Sequence, residues 1–203
     1  MCVLMLTTSC TKLLMVTFCV RNPKVLDEKD IQREARKQDV PNDQVLVLDT
    51  NVIHEYPQDD TTRSVKLMVK NHLQPTQALY YNSSGELVSF HLTCYAKGYR
   101  SKWNHYGDFN QFPPKTAAPV DTLFSLQDQL RFIKTLDGKS IEMDNSYDYT
   151  AIFYFNRITR ARGRRLLKTM KKNSELSDGK SIRFLYVNSD NFWSNGGDNR
   201  VEF

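Results

Sequence analysis

Two apolar runs bracketing a cationic stretch constrain this chain more than anything else in it. Tyr149 to Asn156 (YTAIFYFN) is continuous, aromatic-rich and free of charge, the pattern of a strand buried on both faces. Ile182 to Val187 (IRFLYV), apolar apart from Arg183, reads as a second strand, closing into Asn188-Ser189-Asp190. The sequence between them predicts a helix from Ile158 to about Asn173, with Ile158, Leu166, Leu167 and Met170 on its buried side. Parallel strands need a crossover of a dozen or more residues, so strand–helix–strand is the economical reading. Such a connection is expected to be right-handed.

Charge is concentrated in the same place. The chain carries a formal net charge of +5, yet residues 157–183 hold ten Lys and Arg against Glu175 and Asp178. That window is therefore +8 and the remainder −3. Arg157, Arg160 and Arg164 recur at helical spacing near the helix start, and Arg165, Lys168 and Lys172 follow further along. Cations at a helix N-terminus oppose the macrodipole, which makes Arg157, Arg160 and Arg164 candidates for binding an anion or acidic partner. A solvated helix face is the alternative. No stacking aromatics are interleaved with the basic residues, so nucleic acid is not the expected partner.

Upstream, Asp27 to Gln38 reads as an exposed helix with a thin apolar stripe through Leu26, Ile31 and Ala35, ended by Pro41 and Asn42. Gln44 to Leu48 reads as a buried strand. Thr61 or Thr62 can cap a helix that runs through Val65 and Val69 to Leu73. Gln77–Tyr81 and Glu86–Leu92, joined by Asn82-Ser83-Ser84-Gly85, form the clearest hairpin signal. Residues 93–121 read as an irregular insertion that packs through its own aromatics, among them Tyr95, Tyr99, Trp103, Tyr106, Phe109 and Phe112. Ser125 to Ile133 reads as an amphipathic helix capped by Ser125, and Asp137-Gly138 as a turn. Residues 13–50 and 150–190 share a strand–helix–strand order with an Asp/Asn-rich exit, either a duplication or two ordinary βαβ units.

Leu136-Asp137-Gly138-Lys139-Ser140-Ile141, then the 149–156 run, the helix and SIRFLYVNSDNF, resemble the redoxin/TlpA branch of the thioredoxin superfamily. The resemblance covers about 60 residues and rests on pattern. It implies an α/β fold, a thioredoxin-like mixed sheet with flanking helices. In active members a Cys-x-x-Cys motif stands where the first strand meets the helix, because a helix N-terminus stabilises a thiolate. Here that turn is Asn156-Arg157-Ile158-Thr159-Arg160-Ala161, with no cysteine. The family's helix, proline and hairpin also do not follow residue 193. Leu73-Gln74-Pro75-Thr76 and the hairpin at 77–92 look like that half placed upstream, so the halves are expected to meet in permuted order. Alternatively, residues 13–92 form a partial duplicate, with Cys19 near its redox turn.

Leu6-Thr7-Thr8-Ser9-Cys10-Thr11-Lys12 looks like the end of a bacterial lipoprotein signal of the Bacteroidetes type. Residues 1–10 then form a truncated signal, Cys10 is the lipidated residue, and 11–203 form one domain. That reading implies a periplasm-facing lipoprotein of the cell envelope, touching membrane through its lipid. Residues 1–20 also fit a buried first strand or a short membrane anchor, although Lys12 opposes a span. A cytoplasmic chain is the alternative location. Cysteines stand at 2, 10, 19 and 94, and His54, His72, His91 and His105 are scattered, so neither a metal site nor a cofactor is expected. No Gly-x-Ser-x-Gly elbow or phosphate-binding loop is present, and Asp59-Asp60 sits in a polar loop. These features point to a redox-inactive binding or assembly module with a protein partner. The enzymatic alternative is thiol–disulfide exchange by Cys19 or Cys94, singly or as a pair.

Overall fold

The computed structural model describes residues 22–55, 62–97, 102–122 and 124–194. Expectations on Cys2, Cys10, Cys19, the 13–20 strand, Asp59-Asp60, Thr61 and Tyr99 lie outside those residues. Helix α1 spans Glu28–Lys37, capped by Asp27, whose carboxylate accepts the Asp30 N–H. Strand β1 (Val45–Leu48) leads to a 3-10 segment and then to α2 (Arg63–His72), with Thr62 at its N-cap. The hairpin is β2 (Gln77–Asn82) and β3 (Leu87–Leu92). Gly85 takes φ +78° in its turn, a conformation that L side chains rarely adopt. Helix α3 (Leu126–Arg131) precedes β4 (Ile133–Thr135). The chain continues through β5 (Tyr149–Phe155), α4 (Arg160–Ser174), β6 (Ile182–Asn188) and the short α5 (Asp190–Ser194).

The six strands among the described residues form one mixed sheet in the order β3-β2-β5-β6-β1-β4. β5, β6 and β1 run parallel, with Tyr149 opposite Ile182 and Phe155 opposite Asn188. The hairpin joins on one side, β2 antiparallel to β5, and β4 joins on the other, antiparallel to β1. The fold is therefore mixed α/β, with β5 and β6 at the centre and α4 linking them, as their sequence implies.

The strand period of two sorts core residues onto two faces. Tyr80, Ala151, Phe153, Phe155 and Tyr186 pack with Ile31 and Ala35 of α1 and Leu166, Leu167 and Met170 of α4. Trp103 and Phe109 of the long insertion join this cluster. On the other face Leu79, Tyr81, Ile152, Tyr154, Leu185 and Val187 pack with Leu126 and Leu130 of α3. A third cluster, Val52, Val69, Leu73, Phe124 and Phe192, ties α2 and α5 together, and Leu48 bridges it to the second. Burying each large side chain contributes about 1.5–3 kcal/mol, so three from α4 hold that helix to the sheet more firmly than its propensity does.

Two elements correct the sequence reading. The helix from Ser125 ends at Arg131, and Ile133 instead begins a strand. Ser125 and Asp128 form a capping box, so the helix start is read correctly. Its end is set by tertiary pairing: Ile133 is fully buried opposite Leu48, and the Asp49 N–H donates to the Phe132 carbonyl at 2.7 Å. Of the insertion's aromatics, Trp103 and Phe109 are buried, whereas Tyr106 is 71% exposed. It lies instead edge-on to His105, with Lys97 Nζ 5.6 Å from its ring.

Candidate functional site

The carboxyl ends of β5, β6 and β1 face one edge of the sheet, the edge at which open α/β sheets receive ligands. Asn156, the first residue beyond β5, organises that edge. Its Nδ2 donates to the Pro75 carbonyl and, at 3.4 Å, to Ser189 Oγ. Its Oδ1 accepts the Thr159 N–H at 2.9 Å and the Thr159 hydroxyl at 3.0 Å. With that proton committed, the Thr76 hydroxyl donates to Thr159 Oγ1. Gln38 Nε2 donates to the Asn156 carbonyl at 2.9 Å. The segment before β2, the turn before α4 and the exit of β6 are thus clasped by side chains that are almost wholly buried. The Phe112–Pro113 bond is the one cis peptide among the described residues, so Pro75 is joined in trans.

Asp190 closes the cluster from below. It is fully buried, and its carboxylate accepts the Arg157 backbone N–H at 3.0 Å and Asn188 Nδ2 at 2.9 Å. Burial pushes its carboxyl up to about 6, and the hydrogen bonds from Asn188 and Arg157 pull against that rise.

The three arginines read as an anion site all meet partners within the chain. Arg160 forms a two-pronged pair with buried Glu34 of α1. Arg164 Nε lies 2.7 Å from Asp39, with both side chains 60% exposed. Arg157 donates to the Asn22 carbonyl at 3.3 Å. A carboxylate from α1 therefore meets the cationic first turn of α4, and α1 is more than 120 residues away in sequence. Beside them Gly163 passes so close to Gln38 that a Cβ there would lie 2.5 Å from Gln38 Oε1.

Next to the clasp is a cavity of about 20 Å³, room for one water molecule, walled by Leu48, His72, Gln77, Ser189 and Trp193 among others. Gln77 Nε2 donates to the His72 and Gln74 carbonyls, and its buried Oε1 has no partner. His72 Nε2 lies 3.0 Å from Asp121 Oδ1, and its ring is tilted against Phe90 and edge-on to Phe124. Ser189 and His72 share the cavity without a hydrogen bond between them. Cys94 is an exposed free thiol whose Sγ donates to Gln74 Oε1 at 3.1 Å. Cys19, its expected counterpart, lies outside the described residues. Among the described residues no group of three His, Cys, Asp or Glu is placed to hold a metal.

The edge offers amides, hydroxyls and one carboxylate. Asn156, Thr159, Thr76 and Asp190 supply hydrogen bonds and no thiol. Sequence reading found the cysteine-free turn and missed its partners, because Thr76 and Thr159 are 83 residues apart. The paired appearance of Pro75-Thr76 and Asn188-Ser189-Asp190 at strand boundaries is the one signal that points there. Comparison with family models, curated proteins and solved structures finds no match.

Proposed function

We propose that this chain is a thioredoxin-like module whose hairpin half precedes its βαβ half, and that it serves as a redox-inactive binding or assembly component of the cell envelope. The strand order β3-β2-β5-β6, with an antiparallel hairpin beside a parallel βαβ pair, supports the fold reading. The clasp of Asn156 and Thr159 on Pro75 and Thr76 carries the functional one. In a redox member the turn after the central strand offers a thiolate to substrate. Here Asn156 and Thr159 of that turn are buried and engaged in internal hydrogen bonds, while Arg157 and Arg160 are half-buried. Such a turn makes the edge a rigid surface for recognition.

Reduction of insulin disulfides by dithiothreitol tests this directly. The expected result is the same rate with and without the protein. Acceleration that is abolished by Cys19→Ser or Cys94→Ser would establish thiol–disulfide exchange and overturn the reading. Placement at the envelope rests on the lipoprotein-like string ending at Cys10. Fatty-acid labelling of the wild-type chain, but not of Cys10→Ala, is the expected outcome in a bacterial host that lipidates such signals.

A further inference from the structure

We infer that the cavity beside the clasp is a binding site for one water molecule, which donates to Gln77 Oε1 and accepts from the Ser189 hydroxyl. The inference stands on the cavity itself, whatever partner the edge recognises. Gln77 opens β2 and is 5% exposed. Its Nε2 donates to the His72 carbonyl at 2.8 Å and to the Gln74 carbonyl at 3.0 Å. Exchanging the two amide atoms would set an oxygen against two carbonyls, so the orientation is fixed and Oε1 is left as an acceptor. A buried amide oxygen without a donor is costly, because the bonds it makes to water in the unfolded chain are not replaced. Gln38 Oε1 and Asn173 Oδ1 are also buried without a partner, but neither residue walls the cavity. Gln77 does.

Size and chemistry select the occupant. A cavity of about 20 Å³ suits one water molecule and nothing much larger. The occupant must donate, to satisfy Gln77 Oε1. It must also accept, because Ser189 Oγ already receives Asn156 Nδ2 at 3.4 Å and keeps its own proton to give. Water does both, whereas an ammonium cannot accept and an ionised carboxylate cannot donate. Leu48, Leu73 and Trp193 form much of the remaining wall, which favours a neutral occupant over an ion. Held there, the water joins the start of β2 to the exit of β6. That link runs beside the one Asn156 makes between Pro75 and Ser189.

A crystal structure of the wild-type chain tests the site directly. Expected is one isolated density peak within about 3 Å of both Gln77 Oε1 and Ser189 Oγ. In solution, the carbon-bound Hγ protons of Gln77 should receive magnetisation from water with opposite sign in the laboratory and rotating frames, the signature of a held molecule. Ser189→Ala removes one of the two partners and should abolish that transfer, with the amide spectrum away from β2 and β6 left in place. A crystal without the peak, or transfer undiminished in Ser189→Ala, would overturn the proposal. Should Ser189→Ala unfold the chain, the wild-type crystal decides alone. Titration of the wild type with methanol separates water from an organic hydroxyl. The expected shifts at Gln77 and Ser189 do not saturate. Saturable shifts with loss of the water signal would make this a site for a ligand hydroxyl and overturn the proposal as well.

Discussion

Two buried polar groups sit on opposite halves of the sheet, and they are held in different ways. At the carboxyl edge, Asn156, Thr159, Thr76 and Asp190 join three segments that are far apart in sequence. On β3, Ser89 and His91 are two residues apart, bonded Oγ to Nε2 at 3.2 Å and covered by the insertion. The second His91 bond goes to the Lys115 backbone, and Phe109 stacks 4.2 Å from its ring. The first group joins the strand exits at one edge of the sheet; the second fastens a loop over the core. The difference is what each set of hydrogen bonds restrains: strand exits in one case, a cover in the other.

The contrast is tested hardest at the outer wall of the first group. Glu34→Ala leaves Arg160 facing a buried gap and should lower stability by about 3 kcal/mol in denaturant unfolding. The Glu34 carboxylate is 5% exposed and Arg160 19%, so water can only partly replace the lost partner. A loss under about 0.5 kcal/mol would mark the pair as an ordinary surface contact.

Asn156→Ala comes next, at about 2 kcal/mol. It strips the Thr159 N–H of its acceptor and the Pro75 carbonyl of its donor, both in the interior of the clasp. The turn before α4 should also open, seen as faster amide exchange at Thr159 and unchanged exchange in β3. Loss of protection in β3 as well would show that the two polar groups are one cooperative unit.

Local patterns made half of this contrast legible in advance. Continuous apolar runs reveal β5 and β6, alternating runs reveal the hairpin, and Ser125 announces the start of α3, because each signal is contained within a few residues. The clasp was not legible, since Asn, Thr and Ser at strand ends read as ordinary exit residues until Pro75 and Thr76 are brought beside them. The three arginines are the clearest instance. Their conflict with the helix dipole is visible, but two of them meet carboxylates, Arg160 at Glu34 of α1 and Arg164 at Asp39 just beyond it, in a segment whose own sequence looks merely exposed. β4 escaped for the same reason: a three-residue strand is defined by β1 beside it.

Titration separates the two groups further. Burial lowers His91 to about 4, so it stays neutral in the fold while the unfolded chain takes up a proton near 6.5. Its stabilising contribution is full above about pH 6.5 and lost as pH falls toward 4, about 2 kcal/mol of it between pH 7 and pH 5. His91→Gln should remove that acid sensitivity, measured as a flatter dependence of the unfolding midpoint on pH. An unchanged slope would mean that His91 is protonated in place.

Asp190 gives the smallest effect and the opposite sign. Burial raises its carboxyl to about 6 from 3.8, so between those values the folded protein holds a proton that the unfolded chain has released. Its favourable contribution is full below about pH 4 and lost as pH rises through 6, amounting to about 1 kcal/mol between pH 7 and pH 5. In the wild type this gain is hidden beneath the larger loss at His91. It becomes visible in the His91→Gln background, where stability should increase as the solution is acidified from pH 7 to pH 5. Adding Asp190→Asn should flatten that rise, since a side-chain amide does not titrate in this range. The Arg157 N–H keeps a carbonyl acceptor in that variant, and Asn188 Nδ2 can share it, so the clasp is retained while the titration is removed. A rise that survives the second substitution would mean that the proton taken up on folding is not on Asp190.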